Sequence, residues 1–123
     1  MKITEITPVP DTVTELFTKY PEIWTRGKGV HGLYDDKGCP VDEYHQAEKL
    51  CVGSAIGFVV RKGEQYDAEL HGPQIDKKST DLRLAVKRLY PDTDMYHWTI
   101  VAWNNSPERT VEEIIKVCKE AQI

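Results

Sequence analysis

An apolar run in the middle of the chain, LCVGSAIGFVV over residues 50–60, constrains the fold most strongly. Asp42 is a good helix cap, and the pattern after it predicts a second helix over roughly residues 43–62 that is apolar almost all round in its later turns. Such a helix belongs at the centre of a domain. We therefore expect the rest of the chain to pack around it.

Capping patterns predict the first and last helices. Thr12 and Glu15 have the spacing of a capping box, and the apolar stripe that follows predicts a helix that ends before Pro21. Thr110 and Glu113 repeat the same spacing before the last helix. Both helices should bury one apolar face against the central helix.

The remaining segments have weaker patterns. Residues 22–41 predict a hairpin or a compact loop, with a turn that ends on a left-handed glycine. Residues 63–78 are polar and contain a Gly-Pro pair, which predicts a surface connection before a third helix that Ser79 caps. The segment 95–103 fits a strand or a helix, and the Asp-Thr-Asp cluster before it favours a helix.

Length and composition fit one globular domain over residues 1–123, since 40% of the residues are hydrophobic and 29% are charged. The predicted fold class is α+β and mainly α, with about five helices around a central hydrophobic helix and a small β-hairpin. No apolar run approaches the ~20 residues that a membrane span needs. The three cysteines are odd in number and form no CxxC pair, which favours a reducing, cytoplasmic location.

The net charge of −4 does not favour a protein that binds duplex DNA. Residues 61–88 nevertheless carry seven basic side chains against five acidic ones. These seven could converge on a patch that binds nucleic acid, or they could form an ordinary solvated face. They are Arg61, Lys62, Lys77, Lys78, Arg83, Lys87 and Arg88.

Cys51 is a candidate nucleophile. Papain-like hydrolases pair a helix cysteine with a histidine and an asparagine from elsewhere, and here His97 and Asn104 or Asn105 could take those parts. A catalytic cysteine normally lies at a helix N-terminus, whereas Cys51 lies about nine residues inside the predicted helix. We therefore favour a buried, inert thiol and no catalytic residue.

A metal or cofactor site is not expected. His31, Cys39, His45 and Cys51 have side chains that suit zinc, but their spacings match no usual ligand pattern. Chance scatter of cysteine and histidine explains them better.

Aromatic, arginine and amide side chains could form a binding site for a planar ligand. The candidates are Trp24, Arg26, Tyr34, Trp103, Asn104 and Arg109, with Trp98 nearby in the sequence. No glycine-rich phosphate loop accompanies them. The alternative is structural: the aromatics pack in the core, the asparagines form turns, and Arg109 lies over Trp103 or Trp24.

An ordered set of motifs resembles a small family of uncharacterised domains that is widespread in bacterial and bacteriophage genomes. The motifs are Trp24, Gly29, Tyr34 and Asp36-x-Gly38, then the stretch 51–56, then Ala102-Trp103-Asn104-Asn105, then Arg109-Thr110-x-Glu112-Glu113. The resemblance spans roughly residues 12–121. The family's pattern reads Trp-Asn-Asp, and Asn105 replaces that aspartate here.

The resemblance implies a phage or bacterial accessory protein and brings no activity with it. We therefore expect a small non-catalytic binding protein that recognises a host protein or a small nucleotide-like ligand, with a role in countering host defence. A papain-like cysteine hydrolase and a nucleic-acid accessory protein are the alternatives.

Overall fold

The structure is a computed structural model that describes residues 1–27, 32–93 and 100–123, and the structural statements below concern those residues. Their helices are α1 (Val13–Lys19), α2 (Val52–Arg61), α3 (Ala68–Leu89), α4 (Ile100–Asn104) and α5 (Val111–Ala121). An antiparallel pair of strands, β1 (Leu33–Tyr34) and β2 (Lys49–Leu50), precedes α2. The predicted mainly helical fold with a small antiparallel β element is confirmed.

Helix α2 is the centre of the packing. It contacts α1, α3, α4 and β2, while α5 packs mainly on α3 and α1. Ala55 and Ile56 have no exposed surface, and Val59 is almost fully buried. Burying such side chains contributes roughly 1.5–3 kcal/mol each, so this helix contributes strongly to the stability of the core.

The predicted start of the central helix is wrong. Lys49 and Leu50 pair with β1 as strand β2, and Tyr44–Gln46 forms a separate 3-10 turn. The helix begins at Val52, and Cys51 rather than Asp42 is its cap. The pairing between β1 and β2 draws the backbone into a sheet, which overrides the helical pattern of the preceding residues.

The predicted surface connection over residues 63–78 is also wrong from residue 68 onwards, where the chain is helical. Helix α3 begins directly after Asp67, whose carboxylate accepts two N–H groups of the first turn, so Ser79 lies inside the helix. Pro73 is tolerated near the start of the helix. The residue before it, Gly72, lacks the Cβ that would otherwise clash with the proline ring in helical geometry.

Other predicted boundaries are confirmed. Thr12 accepts a hydrogen bond from Glu15 N at 3.0 Å, and Thr110 and Glu113 form the reciprocal capping box of α5. The turn after β1 places Gly38 at a φ of +82°, in the left-handed region. Residues 100–103 are helical as predicted, whereas the rest of the ambiguous segment, 95–99, lies outside the described residues.

None of the helices in the described ranges is both long enough and apolar enough to cross a membrane.

Candidate functional site

A buried asparagine at the end of α4 joins three segments of the chain. The Asn104 side chain has 0% exposed surface, and its Oδ1 accepts hydrogen bonds from Trp24 Nε1 at 2.7 Å and Val52 N at 2.9 Å. Its Nδ2 donates to Thr25 O and to Asn105 Oδ1, both at 3.0 Å. An amide can accept two hydrogen bonds and donate two, so this one is fully satisfied. We call these five residues the Asn104 junction.

Close packing extends the Asn104 junction to Tyr34. Gly27 N donates to Asn105 Oδ1 at 2.7 Å. A Cβ atom at Gly27 would overlap the Tyr34 hydroxyl and lie 2.7 Å from Tyr34 Cζ. Since Tyr34 is fully buried, its ring has little room to move away. Position 27 therefore requires glycine for this close approach.

Arg109 covers the next aromatic ring. Its guanidinium carbon lies 4.2 Å from the Trp103 ring centroid, Nε donates to Trp103 O at 2.9 Å, and Nη1 contacts Glu113 at 3.0 Å. Only 13% of the Arg109 side chain is exposed. Tyr90 lies beside this pair, and burial, followed by the Glu113 charge, raises the pKa of its hydroxyl. The cation–π contact expected from the sequence is thus present.

Arg26 connects the segment that contains Trp24 to the segment that contains Arg109. Its exposed guanidinium donates a hydrogen bond to Pro107 O, two positions before Arg109 in the chain. The structure therefore brings together all the predicted binding residues, Trp24, Arg26, Tyr34, Trp103, Asn104 and Arg109. Tyr34, Trp103 and Asn104 are buried and act in packing. Arg26 is exposed, and Trp24 and Arg109 are partly exposed. We call these last three the Trp24–Arg26–Arg109 surface.

The position of Cys51 differs from the predicted one. It is the N-cap of α2, and its Sγ lies 3.5 Å from both Ser54 N and Ser54 Oγ. The residue is 2% exposed, as the buried interpretation predicts. Its neighbour Val52 bonds Asn104, whose amide has no capacity left. His97, the other predicted partner, lies outside the described residues.

The residues considered for zinc are not assembled by the described part of the chain, where no group of three potential ligands is placed to hold a metal. Cys39 is exposed, and His45 pairs with Glu43 at 3.0 Å on the surface. His31 falls in the range that the structure does not describe.

Three of the seven basic side chains of residues 61–88 have separate acidic partners. Lys77 pairs with Asp81 at 2.8 Å, and Arg88 pairs with Glu120 at 3.0 Å. Lys62 pairs with Asp11. These cations are distributed among acidic neighbours on different elements, which is typical of a solvated face.

Sequence reasoning missed a half-open cavity of about 540 Å³, which we call the Phe58 cavity. It is lined by residues of the segment 3–11, by Tyr44 and by residues of the stretch 58–63. No motif marks it, because its walls come from segments that are distant in sequence. The Arg-aromatic contact between Arg61 and Tyr44 at its edge has no signature in the sequence either.

The chain belongs to DUF6197, a family of unknown function, whose model matches residues 10–122. This agrees with the near full-length resemblance to a family of uncharacterised domains. The chain is also 32% identical over 76 residues, 62% of its length, to the chloroplastic DNA-directed RNA polymerase 3 of Nicotiana sylvestris and 3A of Nicotiana tabacum. The match spans only 7% of each polymerase. No solved structure matches the chain.

Proposed function

We propose that the chain is a small non-catalytic binding protein of phage or bacterial accessory type that works in the cytoplasm. Its Trp24–Arg26–Arg109 surface contacts a host protein or a small nucleotide-like ligand. The observation that carries the proposal is the complete set of four hydrogen bonds at Asn104, because it holds Trp24 and Thr25, the residues next to Arg26, in one arrangement.

Rigid support favours binding. A surface that is already ordered loses less conformational entropy when a partner binds, and this lowers the cost of association. Thr25 and Trp24 are fixed directly by Asn104, and Arg109 is fixed by Trp103 and Glu113. The exposed groups are therefore presented on a scaffold of buried, satisfied polar atoms.

The exposed chemistry fits an anionic group beside a flat apolar one. Arginine and tryptophan are enriched among the residues that dominate binding energy at interfaces. Guanidinium groups recognise carboxylates and phosphates through paired hydrogen bonds. An acidic patch on a host protein or a phosphate-bearing base would fit the chemistry of Arg26 and Trp24, which are two positions apart in the chain.

A non-catalytic role follows from what the candidate catalytic groups already do. The Cys51 sulfur caps α2 and is 2% exposed, and the Asn104 amide has used all its hydrogen bonds on structure. The amide therefore cannot orient a histidine, and the thiol is shielded from solvent. This supports a surface that binds rather than a site that reacts.

The test uses photocrosslinking in bacterial cells. A photoreactive amino acid replaces Arg26, and in the control it replaces Arg83, which is exposed on α3. We expect a host protein to crosslink at position 26 only, with the unmodified chain competing. In parallel, a panel of nucleoside phosphates is titrated by calorimetry against the wild type, Arg26→Ala and Arg83→Ala. The proposal is wrong if both arms fail. In that outcome no protein crosslinks selectively at position 26, and no nucleoside phosphate binds about tenfold more weakly to Arg26→Ala than to the wild type and Arg83→Ala.

A cysteine hydrolase that uses Cys51 is the second candidate, and the position of that residue at the N-terminus of α2 favours it. A thiol-reactive probe at neutral pH separates the two candidates. Fast labelling of Cys51 in the folded chain would support the hydrolase. If Cys51 is labelled only in denaturant while the exposed Cys39 is labelled fast in the folded chain, the hydrolase candidate is wrong.

A nucleic-acid accessory protein is the third candidate, and the partial match to two RNA polymerases is the observation behind it. Binding through the basic side chains of residues 61–88 requires an affinity for RNA or DNA that falls steeply with salt. The double variant Arg83→Gln, Lys87→Gln would weaken such binding. Absent or salt-insensitive binding would remove this candidate.

A further inference from the structure

We propose that the Phe58 cavity is a binding site for an amphipathic monocarboxylate, such as a medium-chain fatty acid, with Arg61 as the group that binds the carboxylate. The site is separate from the Trp24–Arg26–Arg109 surface and goes beyond the function proposed for it. Its volume of about 540 Å³ lies in the range of small-molecule sites.

The inner wall of the cavity is apolar. Ile3, Ile6 and Phe58 line it from the buried hydrophobic core. The apolar surface that is open to a ligand comes from Pro8, Val9 and Tyr44, which also line the cavity and are exposed or half-buried. Burial of an alkyl chain against such a wall removes apolar surface from water, which favours binding. The wall therefore selects a ligand with an apolar body.

The guanidinium at the edge of the cavity is held in place, and its terminal nitrogens are open to solvent. Its central carbon lies 4.3 Å from the Tyr44 ring centroid, and Tyr44 stacks on Phe58 with 6.3 Å between ring centroids. Arg61 Nε donates to Glu64 O at 2.8 Å. Within the described residues, neither terminal nitrogen of Arg61 makes a hydrogen bond. Two parallel N–H groups in that position match a carboxylate.

The charge at the edge favours a single negative group. Lys62 is already paired with Asp11, which leaves Arg61 as the unpaired cation among the charged groups that line the cavity. The last carbonyl groups of α2 carry partial negative charge and oppose an anion nearby. Arg61 offsets this effect, and a singly charged carboxylate needs less compensation than a phosphate.

The test is calorimetric titration of the full chain with decanoate, decanol and decyltrimethylammonium. We expect saturable binding of decanoate and about tenfold weaker binding of the other two, because only the carboxylate can bind Arg61. Absence of saturable decanoate binding, or equally tight binding of the ammonium compound, would overturn the proposal.

Variants locate the site. Arg61→Gln should weaken decanoate binding about tenfold, whereas the matched variant Arg83→Gln should leave it unchanged. Thr4→Trp places a bulky side chain at an exposed position that lines the cavity and should also block binding, which keeps the test valid if Arg61→Gln is poorly folded. Full decanoate affinity in a folded Arg61→Gln or Thr4→Trp variant would contradict the proposal. Arg26→Ala should bind decanoate as tightly as the wild type, because Arg26 does not line the Phe58 cavity. The decanoate titration can therefore fail without affecting the function proposed for the Trp24–Arg26–Arg109 surface.

Discussion

The Asn104 junction and the Phe58 cavity rest on the same apolar core, but they differ in how their polar groups are satisfied. At the junction, every hydrogen-bonding position of the Asn104 amide has a partner. At the cavity, Arg61 lies over an aromatic ring with terminal nitrogens that bond no described residue. A polar group whose hydrogen bonds all go to protein atoms holds the fold together. A polar group without such partners beside an open volume is available to a ligand.

The largest expected effect comes from exchanging amides for carboxylates at the junction. Asn104→Asp removes the donor to Thr25 O and to Asn105 Oδ1 and buries a charge, so the free energy of unfolding should fall by about 3 kcal/mol or more. Asn105→Asp keeps an oxygen that accepts from Gly27 N and Asn104 Nδ2, and its charge lies at a partly exposed position, so it should cost less than Asn104→Asp. Urea denaturation measures both. Equal losses would show that the junction does not depend on the donors of Asn104.

A second pair of variants tests the close packing at the junction. Gly27→Ala forces a Cβ atom into the buried Tyr34 side chain and should lower the free energy of unfolding by about 2 kcal/mol. Gly57→Ala is the matched control in α2, where the added Cβ would meet Tyr44 Oη at 3.6 Å, an ordinary contact. That variant should gain about 0.5–1 kcal/mol from helix propensity. A destabilised Gly57→Ala together with a neutral Gly27→Ala would reverse the comparison.

The core beneath both regions gives a pH-dependent prediction. Burial raises the pKa of the Cys118 thiol from 9.0 to about 12, so above pH 9 the unfolded chain releases a proton that the folded chain keeps. The free energy of unfolding should therefore fall as pH rises from 9 towards 12, by up to about 1.4 kcal/mol per pH unit from this group. We expect urea denaturation at several alkaline pH values to show that the free energy of unfolding falls less steeply with pH in Cys118→Ala than in the wild type. In Cys39→Ala it should fall as steeply as in the wild type. The same slope in all three proteins would mean that water reaches the Cys118 thiol.

The smallest expected effect separates two arginines in similar contacts. Arg109 and Arg61 lie 4.2 and 4.3 Å from their ring centroids, but Arg109 also bonds Trp103 O and Glu113 and is mostly buried. Arg109→Gln should cost about 1 kcal/mol more stability than Arg61→Gln, which should cost less than about 1 kcal/mol. Thermal or urea unfolding of the two variants measures the difference. A larger loss in Arg61→Gln would place the structural role at the cavity instead.

The parts of the fold that could be predicted from the sequence are those with local causes. Thr12 with Glu15 and Thr110 with Glu113 satisfy backbone donors within one turn, so the starts of α1 and α5 are evident from their spacing. The start of α2 could not be found in this way. It depends on Lys49 and Leu50 pairing with residues 33–34, and pairing between distant segments leaves no local pattern.

The candidate site shows the same division. The side chains of the Trp24–Arg26–Arg109 surface and the amides of Asn104 and Asn105 could be singled out by residue type, since aromatics and amides need specific partners. Thr25 and Val52 could not, because they bond Asn104 through backbone atoms. The burial of these residues could not be predicted, because it depends on which segments meet. The Phe58 cavity has no such residue types: Ile3, Ile6 and Phe58 are ordinary core side chains, and only the arrangement of the segments leaves space beside them.

The distance in sequence across the Asn104 junction has a consequence for folding kinetics. Trp24 and Asn104 are 80 positions apart, so their hydrogen bond forms only after a long loop has closed. We expect this contact to form after the transition state, whereas the capped turns of α1 and α5 can form early. Weakening the junction should therefore speed unfolding while leaving the refolding rate nearly unchanged. The asparagine then governs how long the native state lasts rather than how quickly it is reached.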